Sequence, residues 1–423
     1  MGTTIVGFEK NVKKMHKVRI GPPNDVKPLV IVMGRNYTTR LTLIRAAGVL
    51  GCNVVLIQTD RKKSHVQKID QRSKFVMASH FCPEPDKHLL LDTIFQYKDY
   101  DGGGKHPLLV PADDYAAAVI DEFFNDLRLY FLMPHVNNKQ GEVMRIMDKE
   151  YQKSVAKSIG MPVAKGWICR FNGEKYIIPE EVSFPCYAKP QESYSAPLKH
   201  LQKRCSTRKE LEALLERAAK KYKLSYLVEE FIDITKEYGV QGISIEGRAI
   251  IPSVVFKDSS RSGLTATGYI HPISDIPGLE KQLSDFMRET QFTGIFDIDL
   301  FESKGKFYFN ELNTRLGANG FALTYGVYNV PGLFVKYILG NKDVSYNGPT
   351  DFKPLSFASE KVIRDLYYDG ALSFKDYKRT LKNADILSLK YEGDMGPYRQ
   401  FAKLDKILPL WRWLRKMKKK WKR

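Results

Sequence analysis

Residues 293–318, TGIFDIDLFESKGKFYFNELNTRLGA, gather two carboxylates (Asp299, Glu311), an amide (Asn313) and a guanidinium (Arg315) into one short span. Carboxylate and amide oxygens are hard donors. They suit Mg²⁺ bridged to phosphate oxygens and suit Zn²⁺ poorly, since no His or Cys is near. Arg315 adds a planar fork for a phosphate. The element that must position these groups is a hairpin, because two apolar-rich runs flank the polar Ser303-Lys304-Gly305 turn. Side chains alternate along a strand, so Asp297, Asp299 and Phe301 share one side of the first strand. Phe307, Phe309, Glu311 and Asn313 share one side of the second. The two phenylalanines predict that this face is buried, and buried acids need a cation or a partner. Asp297, on the same side as Asp299, is an alternative ligand.

The chain has 423 residues, enough for two or three domains, and its 43% hydrophobic and 27% charged content is that of an ordinary globular protein. Its apolar runs are too short to cross a bilayer, no secretory signal opens it, and Val6 stands where a myristoylation site wants Ser or Thr. Five cysteines without a C-x-x-C pair fit reduced thiols, so a cytoplasmic location is expected. The formal net charge of +19 favours polyanionic partners. No nucleic-acid motif is present, and nucleic acid is not an expected partner. The basic residues crowd the C-terminus, where Trp411, Trp413 and Trp421 lie among Arg412, Arg415, Lys416 and Lys418 to Lys420. This pattern predicts a basic amphipathic helix on an anionic membrane surface, and so a peripheral position at the inner face of the membrane.

The expected divisions are a lead-in (1–27), an α/β domain (28–145), a second and larger α+β domain (146–345), a C-terminal lobe (346–400) and the basic tail (401–423). Leu29 to Met33 reads as a buried strand, followed by a helix capped by Thr38 or Thr39 and a second strand from Val54 to Gln58, a parallel doubly wound unit. Gly102-Gly103-Gly104 reads as a turn, not a phosphate loop. Asp148 to Ile159 predicts a helix, and Phe184 to Pro190 a strand that delivers Lys189. Thr207 to Glu210 is a capping box before a Leu211/Leu214/Leu215/Ala218 stripe. Tyr226 to Ile232, Val240 to Ile245 and Ala249 to Phe256 predict further strands, with Glu246-Gly247 as a turn.

Taken in order, Lys149 after Asp148, Lys189 at a strand end, Glu229-Glu230-Phe231-Ile232, Glu237, Asp299, Glu311-x-Asn313 and Arg315 resemble the ATP-grasp superfamily of carboxylate–amine ligases. The resemblance runs from about Leu29 to Gly340 and is densest at FNELNTR. Within that superfamily the TG-to-Asp hairpin, the ELN ending and the following Gly-rich bend are similar to bacterial D-aspartate ligases. The resemblance implies a Rossmann-like pre-ATP-grasp domain followed by two ATP-grasp subdomains, with ATP and Mg²⁺ as cofactors. It implies Lys149 and Lys189 on the α- and β-phosphates, Glu229, Glu230 and Ile232 at the adenine, and Glu237 on the ribose. Asp299, Glu311 and Asn313 would hold Mg²⁺, and Arg315, with Lys189, would serve the transferred phosphoryl group. The implied partners are an amino acid and an amine acceptor such as a muramyl peptide of a cell-wall precursor. Dipeptide synthesis, polysaccharide modification, and a membrane scaffold that binds ATP without catalysis are the alternatives. One departure is the segment Gln191 to Pro197, which has hydroxyls but none of the glycines of a flexible phosphate lid. Arg261, in the loop Asp258 to Gly268, is a candidate carboxylate anchor.

Overall fold

The computed structural model describes residues 27–63, 67–191, 201–220, 223–261, 264–406 and 417. The first sheet is parallel: β1 (Leu29–Gly34), β2 (Asn53–Gln58), β3 (Val76–Phe81) and β4 (Leu108–Pro111) lie in the order β3-β2-β1-β4. β1 is buried along its whole length, which is why it reads as an unbroken apolar run. Gly34 closes it at φ +146, where an added Cβ would lie 3.1 Å from Ala112 backbone, so the chain passes β4 with no room for a side chain. The helix after it, Tyr37–Gly48, is capped by Asn36 and not by Thr38 or Thr39. Both threonines already have helical positions, and the Asn36 Oδ1 accepts from their amides at 3.0 and 3.4 Å.

After the short β5 (His135–Val136) comes an antiparallel sheet of β6 (Gly166–Phe171), β7 (Tyr176–Ile177), β8 (Cys186–Pro190), β9 (Lys203–Cys205) and β10 (Tyr226–Glu230), ordered β7-β6-β10-β8-β9. Its helix, Arg208–Ala219, is capped as expected: the Glu210 amide donates to Thr207 Oγ1, and the predicted leucine stripe is buried. β10 stops at Glu230, two residues short of the expected Ile232.

The third sheet is built from β11 (Lys236–Ile245), β12 (Arg248–Ile250), β13 (Ser253–Arg261), β14 (Leu264–Pro272), β15 (Phe292–Ser303), β16 (Lys306–Asn313), β17 (Leu355–Ala358) and β18 (Ile386–Leu387). Its path is β16-β15-β11-β13-β14-β17-β18, with β12 on β11 and β5 on β15. Ala249 to Phe256 is therefore not one strand. Pro252 has no N–H to give a ladder, and the chain breaks there into β12 and β13. Residues from the C-terminal segment extend this sheet, since β17 pairs β14 and β18 pairs β17. Arg45, buried on the first helix, fixes the first sheet to that segment by donating to the carbonyls of Leu389 and Asp394, each at 2.8 Å.

The hairpin β15–β16 turns at Lys304 and Gly305, both left-handed (φ 51 and 73), the signature of a two-residue turn. Its register corrects the expectation about faces. Tyr308 lies opposite Phe301 and Phe309 opposite Leu300, but a bulge follows, and Glu311 lies opposite Asp299 and Asn313 opposite Asp297. Opposed residues share a face, so Phe307 and Phe309 point away from Glu311 and Asn313. Phe309 stacks on Phe286 in the core (4.9 Å between centroids), and the aromatic neighbours on the acidic face are Phe301 and Tyr308, stacked at 5.4 Å. The acids are shielded for another reason, given below.

The expected amphipathic tail beyond Lys406, Met417 aside, lies outside the described residues, as do Glu192 to Pro197 and the side chain of Arg261. Among the described residues no helix is long and apolar enough to cross a membrane.

Candidate active site

A cavity of about 810 Å³ opens between the second and third sheets and the C-terminal ends of β1 and β4. Its floor is one face of the third sheet. Register places Glu237, Gly239 and Gln241 of β11 opposite Phe301, Asp299 and Asp297 of β15, with Lys257 of β13 beside Glu237 and with Glu311 and Asn313 completing the row. Gly239 leaves the centre of that floor without a side chain. The hairpin chemistry predicted above therefore faces an enclosed space, with cations already at hand.

Asp299 and Asp297 have such partners. Lys257 Nζ sits 2.5 Å from Asp299 Oδ1. Arg315 Nη2 donates to Asn313 Oδ1 at 3.0 Å, while its Nε holds Asp114 Oδ1 at 3.0 Å and its Nη1 lies 3.6 Å from Asp297 Oδ2. Burial works against both cations, but the carboxylates around them win, and both are held firmly protonated. Burial pushes Asp297 up to about 7, with Asp299 adding to the rise and Arg315 and Lys257 opposing it. Glu311 shows the opposite balance. Burial would raise it, yet Lys149, Lys189, Arg315 and Lys257 together hold it below its ordinary value.

The facing wall comes from the second sheet and from the start of helix Lys149–Ser158. Asp148 caps that helix by accepting from the Tyr151 amide at 2.9 Å, which places Lys149 at its first position with its Nζ 3.3 Å from the Gln191 carbonyl. Lys189 Nζ lies 2.8 Å from Glu229 Oε2 and 3.4 Å from Asn310 Oδ1, the residue at the hairpin bulge. Burial, with Lys149 adding its charge, lowers Lys189 to about 8 against the pull of Glu311 and Asp299. The strand places Glu229 and Glu230 differently from the expectation that both reach a base. Neighbours on a strand point to opposite sides. Glu229 is clasped between Lys189 and Lys153, and Glu230 Oε1 accepts from the Lys165 amide at 2.8 Å. Ile232 and Glu237 line the cavity where the strand has ended and β11 begins.

The structure thus brings every expected nucleotide- and metal-site residue to one cavity, Asp297 included, while the side chain of the candidate anchor Arg261 lies outside the described residues. It adds lining residues that sequence reasoning missed, Lys257, Arg35, Asp114 and Asn319, and two buried side chains behind the lining: Lys153 paired to Glu229, and Gln241 hydrogen-bonded to Asn319. Lys257 had one signal, as the first charge after the apolar run of β13, but a lone strand lysine is most often a surface residue. Among the described residues no three His, Cys, Asp or Glu side chains form a ready-made metal cage. Mg²⁺ does not require one, since it commonly takes one or two carboxylates and completes its shell with phosphate oxygens and water. Asp299, Glu311 and Asn313 supply that donor set, and Asp297 Oδ1 is buried beside them without a hydrogen-bond partner. The residues present fit a hard divalent cation bridged to a polyphosphate.

No family model matches the chain, and no curated protein sequence matches it. Solved structures do. An L-amino acid ligase from Bacillus licheniformis superposes with a TM-score of 0.57 at 15% identity, covering 78% of this chain and 79% of that one. The ADP complex of purK, an N5-carboxyaminoimidazole ribonucleotide synthetase, gives 0.58 at 14% identity, with 82% and 86% covered. An N5-carboxyaminoimidazole synthetase from Staphylococcus aureus complexed with ADP gives 0.57 at 13% identity, with 84% and 87% covered. At such identities the likeness is one of fold: a parallel α/β domain leading into two sheets that face each other across a cleft, the ATP-grasp fold.

Proposed function

We propose that this chain is an ATP-dependent ligase that activates the carboxylate of an amino acid as an acyl phosphate and joins it to an amine. One observation carries the reading: buried lysines on one wall face a row of hard oxygen donors on the other, with a half-buried arginine at the end of that row. Phosphoryl transfer is governed by positioning and charge neutralisation, and this is what such walls provide. Lys149 and Lys189 hold the α- and β-phosphates. Ile232 and Glu230 lie where the base would enter, and Glu237 lies where ribose hydroxyls would. Glu229 keeps Lys189 and Lys153 in place instead of reading the base. Asp299, Glu311 and Asn313 would hold Mg²⁺, which neutralises phosphate oxygens and supplies several kcal/mol of transition-state stabilisation when bound. Arg315 steadies the transferred group, and Asp114 and Asn313 hold its fork in place.

The finer proposal is a cell-wall reaction, similar to that of D-aspartate ligases, with a muramyl peptide as amine acceptor. The basic Trp-rich tail would bring the enzyme to the anionic inner face of the cell membrane, where phosphorylated precursors are handled. The test is ADP release across D- and L-amino acids, with and without muramyl-peptide acceptors, followed by the mass of the product. The ligase reading expects ADP only when acid and amine are both present, and ADP release with no pairing would sink it. A product lacking the peptide would leave the ligase and remove the cell wall.

A further inference from the structure

A second cavity, of about 480 Å³, adjoins the first, sharing Arg35, Asn36, Asp114 and Arg315 among its lining, but none of Asp297, Asp299, Glu311 or Asn313 lines it. One side is the end of the parallel sheet. The other is the start of helix Glu360–Asp369, which the C-terminal segment places there: the Ser359 amide donates to the Ala266 carbonyl at 2.9 Å and so seats the helix start beside β14.

The acids along this cavity already have partners. Asp60 holds Arg40 Nη1 at 2.9 Å, Asp113 takes the Arg35 amide and Nε at 2.7 and 3.0 Å, and Asp114 holds Arg315. What is left over is donors. Arg40 is 0% exposed, bonded through Nε to Asp70 at 2.6 Å and through Nη1 to Asp60 and the Gly34 carbonyl, yet its Nη2 has no hydrogen-bond partner. A buried guanidinium nitrogen left unpaired is costly, so an acceptor is wanted there. Opposite stands an uncapped helix. Asn36 and Asp113 cap two longer helices that begin at this cavity, Tyr37–Gly48 and Asp114–Glu122, but the Ser359 side chain makes no cap hydrogen bond. The Glu360 carboxylate of the first turn is tied to its own amide and to those of Leu389 and Lys390 and does not line the cavity. The amides of Lys361 and Val362, residues that do line it, are left without a cap and attract an anion.

Resting on the ligase reading, we infer that this cavity binds an anionic group, carboxylate or phosphate, carried by a substrate in addition to the carboxylate that is activated. Arg40 Nη2 and the Ser359 end of the helix are its donors. The helix therefore serves recognition as well as packing.

The test is Ser359→Asp. An aspartate is a good N-cap and leaves the helix as stable or more so, but it occupies the amides and repels an anion. ADP release is followed with amino acids bearing one or two carboxylates, and with acceptors bearing or lacking a phosphate. The pair in which the extra anion lowers KM identifies its source. In that pair the variant should raise KM about tenfold, with the KM for ATP and the melting temperature held. Equal KM values with and without the extra anion, unmoved by the variant, would overturn the inference and leave the ligase standing. If no pairing releases ADP, the ligase reading falls instead. Calorimetry with inorganic phosphate then judges the cavity: about tenfold weaker binding by the variant supports it, and identical or absent binding refutes it.

Discussion

The two walls of the main cavity hold their charges by different means. On the floor, Asp297, Asp299, Glu311 and Asn313 sit at opposed register positions of two long strands, so the hydrogen-bonded ladder fixes where their oxygens lie. On the facing wall, ammonium groups ride on long side chains, drawn to Glu229 or to the Gln191 carbonyl. A ladder position is kept whatever binds, whereas a side-chain ion pair can be exchanged for a better partner. The floor should therefore set the chemistry and the lysine wall the affinity.

The largest effect that could break this contrast comes from the floor. Glu311→Ala or Asn313→Ala should lower the rate of ADP release by two or more decades, roughly 3 kcal/mol of transition-state stabilisation, with the melting temperature little changed. Rates within a few-fold of the parent would mean that the row does no chemistry and would favour a scaffold that binds nucleotide without turning it over.

The next effect lies in pH. Burial, with neighbouring positive charge, lowers Lys189 to about 8 and Lys153 to about 7, against an ordinary lysine value of 10.5. Phosphates need the charged form of Lys189. Affinity for MgADP should accordingly fall above pH 8, by up to tenfold per unit, and Lys189→Met should bind more weakly and lose that slope. Stability without nucleotide should run the other way. Between about 7 and 10.5 the unfolded chain binds more protons at these lysines than the folded one, so folding is favoured progressively as pH rises. Calorimetric titrations and melting curves from pH 7 to 9.5 check both signs, and a flat affinity would show that Lys189 does not meet the phosphates.

A packing test of the floor follows. A Cβ on Gly317 would lie 2.5 Å from Gln241 Nε2 and 2.7 Å from Asp297. Gly317→Ala should cost about 1–3 kcal/mol in denaturant unfolding, because both neighbours are buried and have nowhere to move. An unchanged midpoint would show the floor to be softer than the ladder argument allows.

Legibility in the sequence followed the same division. Strands with strong alternation or unbroken apolar runs, such as β1, β2 and β15, were readable, as were the Asp148 helix and the Thr207 box, because their signals are local. The convergence of Lys149 and Lys189 with the hairpin came only through a resemblance, since nothing local marks a lysine as buried. What could not be read was register. Alternation counted straight through Phe307 to Asn313 put the phenylalanines on one face with Glu311 and Asn313, and a single inserted residue at Asn310 separates them. The burial inferred from those phenylalanines is supplied by Lys257, Arg315 and the facing wall. Lys257 and Asp114 belong to distant segments whose pairing depends on the whole sheet and on the seating of the first domain, which no local pattern encodes.

The smallest expected effect concerns that inserted residue. Asn310 does two things: as the extra residue of the bulge it switches faces, and its Oδ1 reaches Lys189 Nζ across the cavity at a long 3.4 Å. The first is a backbone property that alanine retains, and the second is a weak contact that alanine removes. Asn310→Ala should therefore leave kcat within about twofold and raise the KM for ATP no more than about fivefold, the worth of one modest hydrogen bond. A large fall in kcat with KM unchanged would mean that the side chain itself orders the floor. The chemistry and affinity walls would then be one coupled unit, joined through the bulge.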